Sequence, residues 1–378
     1  MRNIQMVDLK SQYLRMKANI DQAIQEVIDN ANFINGQQVN DFASELASYN
    51  ECMFVQPCAN GTDALQIAMM AVDLQPGDEV IVPAFTYIAT VEVIALLGLI
   101  PVFVDVDPHT FNIDNNQLES VLTNKTRAIV PVHLFGQCAD MEPLVEFAIA
   151  NKLKVIEDTA QAIGAEYTFS NNVSKKAGCI GDIGTTSFFP SKNLGCYGDG
   201  GAMFTNNEEL ALKIKMISNH GQSKKYIHDS VGVNSRLDTL QAALLSVKLR
   251  HLDDFSKRRN IVANTYDVAL NEINQLEVPF RAKNSTHVFH QYTLTVKDGS
   301  RDKLKSYLQE KGVPSMIYYP IPVHLQKAYL SYGYQQGDFP ITENLCKNVI
   351  SLPIHTEMKG EDHNYIIEQV KNFYKNGK

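Results

Sequence analysis

The sequence predicts an α/β protein: a large domain built on a mostly parallel sheet, followed by a smaller α+β C-terminal domain. Three observations predict it. Apolar runs of strand length alternate with stretches of helical period between residues 53 and 218, which is how βα units feed a parallel sheet. Beyond a long helical pattern starting at Asp238, that alternation gives way to a sparser mixture of strands and helices. The chain has 378 residues, 44% of them hydrophobic, enough for two cores. The division is placed near residue 250, giving a large domain at 1–250 and a small one at 251–378.

Taken in order, residues 20–50 hold two helical patterns broken at Asn35-Gly36. A strand follows at 53–56, a helix at 62–72, a turn at Pro76-Gly77-Asp78 and a strand at 79–83. Residues 87–97 read as a helix, 101–105 and 127–134 as strands, and 141–151 as a helix. Residues 154–157 read as a strand ending in Asp158, 185–189 and 202–205 as strands, and 208–218 as a helix. Asp238 followed by Gln241 resembles a capping box for the long helix, which runs past His251. In the C-terminal part 287–296 alternates like a half-buried strand, and 315–319 reads as another strand. Residues 302–310, 343–349 and 362–373 read as helices.

The bulk properties exclude several functions. The formal net charge is -8, the pI is about 5.7, and lysine and arginine gather only in pairs such as Lys224-Lys225 and Arg258-Arg259. Neither a nucleic acid nor an anionic membrane is an expected partner. None of the six cysteines forms a C-x-x-C pair or stands near a histidine pair at metal-ligand spacing. They read as reduced thiols of a cytoplasmic protein without a metal site. The longest apolar run, 93–104, contains Gly98 and Pro101 and is too short to span a bilayer. Residues 1–10 are mixed and polar, with no signal-peptide core.

Four features carry chemistry. Lys192 follows the apolar run Thr185 to Pro190 and precedes Gly195, Gly198, Gly200 and Gly201. The expectation places it at a strand end between apolar neighbours. Desolvation there lowers an amine's pKa and frees it as a nucleophile. Val155-Ile156-Glu157-Asp158 puts a carboxylate at the carboxyl end of a strand, where ligands of parallel sheets bind. Asp158 then either caps the next segment or pairs with a protonated ring nitrogen. Asn60-Gly61-Thr62-Asp63 opens a helix, and such a terminus either is simply capped or cradles a phosphate. Phe85 and Tyr87 precede the next helix, where an aromatic ring can stack on a planar ligand or belong to the core. Together these features describe pyridoxal 5'-phosphate (PLP) binding.

On those residues the chain resembles the sugar-nucleotide aminotransferases of the DegT/DnrJ/EryC1/StrS family. The resemblance runs from Asp8-Leu9-Lys10 to Ser351-Leu352-Pro353. It is strongest at 59–65, at 83–90, at Glu157-Asp158-Thr159-Ala160-Gln161, at 187–192 and at 232–238. It implies the PLP-dependent fold type I, that of aspartate aminotransferase. It also implies that Lys192 holds the cofactor covalently, that Asp158 partners the pyridine nitrogen, and that Gln161 lies near the phenolic oxygen. By the same resemblance Tyr87 stacks on the ring, and Gly61, Thr62, Asp63 and Ser187 cradle the phosphate. Asn234 matches a phosphate ligand donated by a second subunit, which implies a homodimer with shared active sites. Some relatives carry histidine at the lysine position and are dehydratases, so Lys192 implies transamination, from glutamate to a UDP-linked keto-sugar.

Within the family the resemblance points to aminotransferases of O-antigen and lipopolysaccharide synthesis. Their substrate is UDP-2-acetamido-2-deoxy-3-oxo-glucuronate. Arg236 at the start of a helix is disfavoured by the dipole, so a bidentate carboxylate such as a uronate would explain it. A salt bridge to Asp238 is the alternative. Tyr318 and Tyr319 are the other substrate candidates, with Tyr318 standing where those relatives carry a histidine. Three other readings stay open. One is an aminotransferase for a neutral dTDP- or UDP-keto-6-deoxyhexose. Another is a non-catalytic PLP-binding regulatory protein. A nicotinamide-dependent oxidoreductase is disfavoured, because the glycines lie beyond Lys192 rather than after the first strand.

Overall fold

The structure is a computed structural model that describes residues 4–376; the first three residues of the polar N-terminus and the last two of the chain lie outside them. In chain order the strands are β1 (Phe54–Cys58), β2 (Glu79–Pro83), β3 (Ile100–Val104), β4 (Thr126–Ile129) and β5 (Lys154–Asp158). Then come a hairpin of β6 (Glu166–Thr168) and β7 (Ser174–Lys176), and β8 (Ile183–Ser187) and β9 (Gly201–Thr205). A second hairpin follows, β10 (Gln222–Lys224) with β11 (Ile227–His228). The last strands are β12 (Leu276–Glu277), β13 (Tyr292–Val296) and β14 (Val349–Leu352). The helices are α1 (Leu9–Asn30), α2 (Gln37–Asn50), α3 (Gly61–Ala71), α4 (Ala89–Leu96), α5 (Leu118–Val121) and α6 (Met141–Ala150). After them come α7 (Glu208–Ile217), α8 (Thr239–Leu249), α9 (Leu252–Leu270), α10 (Arg301–Glu310), α11 (Pro340–Asn348) and α12 (Gly360–Asn376).

Seven strands form the central sheet in the order β1-β9-β8-β5-β4-β2-β3. All neighbours from β8 to β3 pair in parallel, while β9 runs antiparallel to both β8 and β1. The reason is the connection: β8 and β9 are joined by a loop without the crossover helix that a parallel return requires. Since β9 opposes both flanking strands, β1 ends on the same edge as β8, β5 and β2. That edge carries the site. Alternate residues serve opposite faces. Val80 and Val82 join the core under α3, α4 and α7, whereas Ile81 joins Ile129, Val155 and Leu144 of α6 on the other side. Helix α3 is buried almost all round, through Ala64, Leu65, Ile67, Ala68, Met69 and Ala71, as a helix central to a core must be.

The three-stranded antiparallel sheet β12-β13-β14 has its own core, with Tyr266 of α9, Leu304 and Leu308 of α10, and Ile366 and Val370 of α12. Several sequence expectations are corrected here. The strand expected at 127–134 stops at Ile129, because Pro131 has no N–H for a ladder; its carbonyl accepts from Asp158 N–H at 2.9 Å. The strand expected at 185–189 ends at Ser187. Residues 315–319, bracketed by Pro314 and Pro320, form only a bridge from Met316 to Ser351. The strand expected from 287 begins at Tyr292. The long helix breaks at Arg250-His251 into α8 and α9. No capping box forms at its start. Asp238 makes no side-chain cap bond, and the Gln241 amide grips the backbone of Tyr197 instead, through its N–H at 2.9 Å and its carbonyl at 3.2 Å.

Candidate active site

Asp158 closes β5 at 5% exposure. Its Oδ2 accepts from Thr90 Oγ1 at 2.8 Å and its Oδ1 from Ala160 N–H at 3.1 Å. Its own backbone is pinned by Pro131 and His133. The neighbouring Glu157 points the opposite way along the pleat and is fully buried. It accepts from Gly178, Ile180 and Gly181 N–H at 2.9, 2.7 and 2.6 Å and from His133 Nε2 at 2.9 Å. Burial alone would raise its pKa; His133 and the backbone donors outweigh burial and hold it below the usual carboxylate value. Of the two carboxylates, only Asp158 is oriented for work at the sheet edge.

The N-terminus of α3 lies beside it. Asn60 caps the helix through Asp63 N–H at 2.8 Å, so the capping reading of the sequence is realised. The N–H groups of Gly61 and Thr62 remain without a partner among the described residues, which leaves room for an anion as well. Gly61 is there for close approach. A Cβ on it would stand 2.6 Å from Ser187 Cβ at the end of β8, so Gly61, Thr62, Asp63 and Ser187 share one corner.

Lys192 is not at a strand end. It lies five residues beyond β8, in the loop that returns to β9. That loop is tightly folded: Phe188 N–H donates to Gly200, Lys192 N–H to Phe189, and Cys196 N–H to Phe188, at 2.7 to 2.8 Å. Asn193 Nδ2 fastens it to the Val288 carbonyl at 3.0 Å, and the buried Lys248 of α8 donates to the Gly195 carbonyl. Burial pushes the Lys192 amine down to about 8, with the Asp158 charge acting in the opposite direction. The expected environment is therefore present on a loop rather than a strand.

The remaining candidates fall into two groups. Gln161 is buried, with Oε1 accepting from Phe135 N–H at 2.8 Å and Nε2 donating to the Tyr319 hydroxyl at 3.0 Å. Tyr87, 55% exposed, precedes α4, and its ring lies 6.1 Å from that of Tyr319. Tyr318 joins Tyr319 in the same wall, and burial raises both phenols. Asn234 and Arg236 form the second group, between the β10–β11 hairpin and α8. Ser235 Oγ between them accepts from Ala59 N–H at 3.1 Å, tying this segment to the entrance of α3. Arg236 precedes Thr239, the first residue of α8, by three positions, so it stands outside the first turn and the dipole argument for it does not apply. No described carboxylate lies within ion-pair distance of it, Asp238 included.

Sequence reasoning missed Thr90, His290 and Lys248. Thr90 had a visible signal, since Thr86 and Thr90 are four apart and their hydroxyls meet at 3.1 Å beside Asp158. His290 is buried with Nδ1 unpartnered, and burial, Lys192 and Arg259 drive its pKa well below the usual value. Nothing in its sequence neighbourhood marks it. Six cysteines are free and buried, and no metal-holding cluster exists among the described residues. Likewise, no described helix is long and apolar enough to cross a membrane.

A part-buried amine lowered to about 8, a buried carboxylate with two donors and an open edge, and a helix terminus with free N–H groups behind a glycine fit PLP. The model of the DegT/DnrJ/EryC1/StrS aminotransferase family matches residues 14–371. The chain is 45% identical over 378 residues to a "Pleiotropic regulatory protein" of Geobacillus stearothermophilus, with 99% of each covered. It is 44% identical over 352 residues to the UDP-2-acetamido-2-deoxy-3-oxo-D-glucuronate aminotransferase of Pseudomonas aeruginosa, covering 93% of this chain and 95% of that one. It is 42% identical to the dTDP-3-amino-3,6-dideoxy-alpha-D-galactopyranose transaminase of Aneurinibacillus thermoaerophilus, covering 98% and 99%. Among solved structures, a DegT DnrJ EryC1 StrS aminotransferase from Brucella abortus superposes with a TM-score of 0.91 at 40% identity, covering 98% and 99%.

Proposed function

The chain belongs to the DegT/DnrJ/EryC1/StrS aminotransferase family, as a PLP-dependent transaminase of nucleotide sugars, and we propose that it moves an amino group from glutamate to C3 of UDP-2-acetamido-2-deoxy-3-oxo-glucuronate. The observation that carries this substrate is Arg236, a part-buried guanidinium with no carboxylate partner among the described residues. A uronate supplies the bidentate partner that a fork-shaped cation takes. The name of the relative at 44% identity agrees with it. A neutral 6-deoxyhexose nucleotide is the second reading, favoured by the relative at 42%. The test is single-turnover consumption of keto-sugar nucleotides by the aminated enzyme. Faster turnover of the neutral sugar than of the uronate reverses the ranking.

When bound, PLP supplies an electron sink for cleavage of bonds at the amine-bearing carbon. The chain's own residues do the rest in this proposal. Lys192 holds the cofactor at Nζ, and its lowered pKa leaves part of the amine free near neutral pH to take up and return a proton. Asp158, fixed by Thr90 and Ala160, holds a proton on the pyridine nitrogen. Gly61, Thr62, Asp63 and Ser187 bind the phosphate at the α3 terminus, Gln161 orients the phenolic oxygen, and Tyr87 covers the ring. Tyr318 and Tyr319 wall the sugar. This chemistry disfavours a purely regulatory role despite the name of the relative at 45% identity.

Asn234 and Arg236 are proposed to serve the partner subunit's site in a homodimer. The adjoining hairpin supports this: Tyr226 and Val231 are 82% and 83% exposed there, apolar surface of the kind a second copy covers. Work in O-antigen or lipopolysaccharide synthesis and a cytoplasmic location belong to the same proposal. So does the division into a cofactor-binding domain at 1–250 and a small domain at 251–378. The break between α8 and α9 supports that boundary, although Val323, Tyr329 and Phe339 pack back into the core of the large part.

A further inference from the structure

The Gln161 amide has one admissible orientation. Its oxygen meets the backbone N–H of Phe135 at 2.8 Å, and a backbone N–H only donates. The amide therefore cannot be flipped, and the group that meets the Tyr319 oxygen at 3.0 Å is its NH₂. Tyr319 must accept that bond. Its own hydrogen is left over, and no described residue accepts it. Burial raises the phenol above its ordinary range; the Gln161 bond opposes that rise, and the Asp158, Tyr318 and Tyr87 charges add to it. The hydroxyl thus keeps its proton at working pH.

The surroundings indicate what the proton meets. The Tyr319 ring lies 6.0 Å from Phe85, 6.1 Å from Tyr87 and 6.0 Å from Tyr318. An aromatic wall suits the C–H face of a sugar ring, and a hydroxyl set in that wall suits an oxygen on its edge. Asp158 acts on the same phenol, so a second carboxylate is disfavoured there and a neutral oxygen preferred. We infer that Tyr319 is a one-way hydrogen-bond donor to a hydroxyl or carbonyl oxygen of the sugar, and that Gln161, anchored on Phe135 N–H, is the positioning residue that sets the direction of that bond. This rests on nucleotide-sugar transamination alone and stands whether the sugar is a uronate or neutral.

The experiment measures the two half-reactions separately in the PLP-loaded enzyme, using the keto-sugar nucleotide that wild type converts best. The reading is the ratio of sugar to amino-donor kcat/KM, which cancels any effect on the cofactor common to both. Tyr319→Phe lowers the ratio about tenfold, the worth of one hydrogen bond. Gln161→Met lowers it about threefold in the presence of Tyr319 and leaves it unchanged when combined with Tyr319→Phe, because a residue acting through another is not additive with it. Calorimetric affinity for the aminated nucleotide sugar, which needs no turnover, falls in the same pattern. A Tyr319→Phe ratio equal to wild type overturns the donor. A Gln161→Met effect of the same size in both backgrounds overturns the positioning role.

Discussion

Thr90 Oγ1 donates to Asp158 Oδ2 at 2.8 Å, so the carboxylate is held from the α4 side as well as by its own strand. Two donors occupy part of its acceptor capacity and fix the rest toward the cleft. Asp158→Asn removes the charge that keeps a ring nitrogen protonated. Its half-reaction rate falls by on the order of 10³, about 4 kcal/mol in barrier. Thr90→Val costs about tenfold or less, since the Ala160 bond remains. Stopped-flow kinetics decide, and a loss under about threefold in Asp158→Asn removes the role.

Lys192→Ala abolishes transamination and leaves the fold intact. The loop is held by backbone bonds and by Asn193, none of which needs the amine. Circular dichroism stays as in wild type, while the borohydride-sensitive absorption of the holoenzyme is lost. Turnover near the wild-type rate identifies another nucleophile.

Shared sites are tested by complementation. Lys192→Ala and Asn234→Asp are each inactive alone. Mixed dimers rebuild one intact site, so random exchange returns roughly a quarter of wild-type activity. No recovery after exchange is verified argues that each subunit works alone.

Arg236→Ala lowers kcat/KM for a uronate nucleotide by about 100-fold and changes that for a neutral sugar by less than about threefold, the difference expected of a charged bidentate pair. Equal losses on both sugars assign Arg236 to the nucleotide or to the fold.

Lys248 is 1% exposed, and burial lowers its amine to about 8, with Cys196 opposing. Between pH 8 and 10.5 the unfolded state binds the proton that the folded state has lost, so this lysine makes stability rise with pH. Measured against Lys248→Met by urea unfolding of the apoprotein, wild type gains on the order of 3 kcal/mol from below pH 8 to above 10. The comparison isolates the lysine, because buried thiols such as Cys58 and Cys138 pull stability the other way in the same window. A constant difference across the range shows that Lys248 keeps its proton in the fold as it does in the unfolded chain.

Legibility in the sequence followed range. The βα alternation was readable because strands such as β2 and helices such as α3 are set by local apolar period, and Asp158 could be placed because its strand ends where its apolar run ends. The loop carrying Lys192 was not readable as a loop. Phe188 and Phe189 continue the apolar run past Ser187, and only the bonds from Lys192 back to Phe189 and from Cys196 back to Phe188 show that the chain has turned out of the sheet. Gln241 looked like a helix cap because its partner, Tyr197, is 44 residues away. Lys248 and His290 gave no signal, since burial of a polar residue comes from tertiary packing that no spacing encodes.

The ties across the cleft also bear on how the protein is made. Asn193 needs the Val288 carbonyl, the Gly136 carbonyl needs Val288 N–H at 2.8 Å, and Gln161 needs Tyr319. A nascent chain that has released residues 1–250 from the ribosome can pair all seven strands of its central sheet, yet the loop around its reactive lysine lacks its anchor on Val288. That side of the loop stays unfastened until the segment around residue 290 emerges. A half-made chain thus carries the sheet without the finished surroundings of its lysine, and these are completed only when the segments around Val288 and Tyr319 have been made.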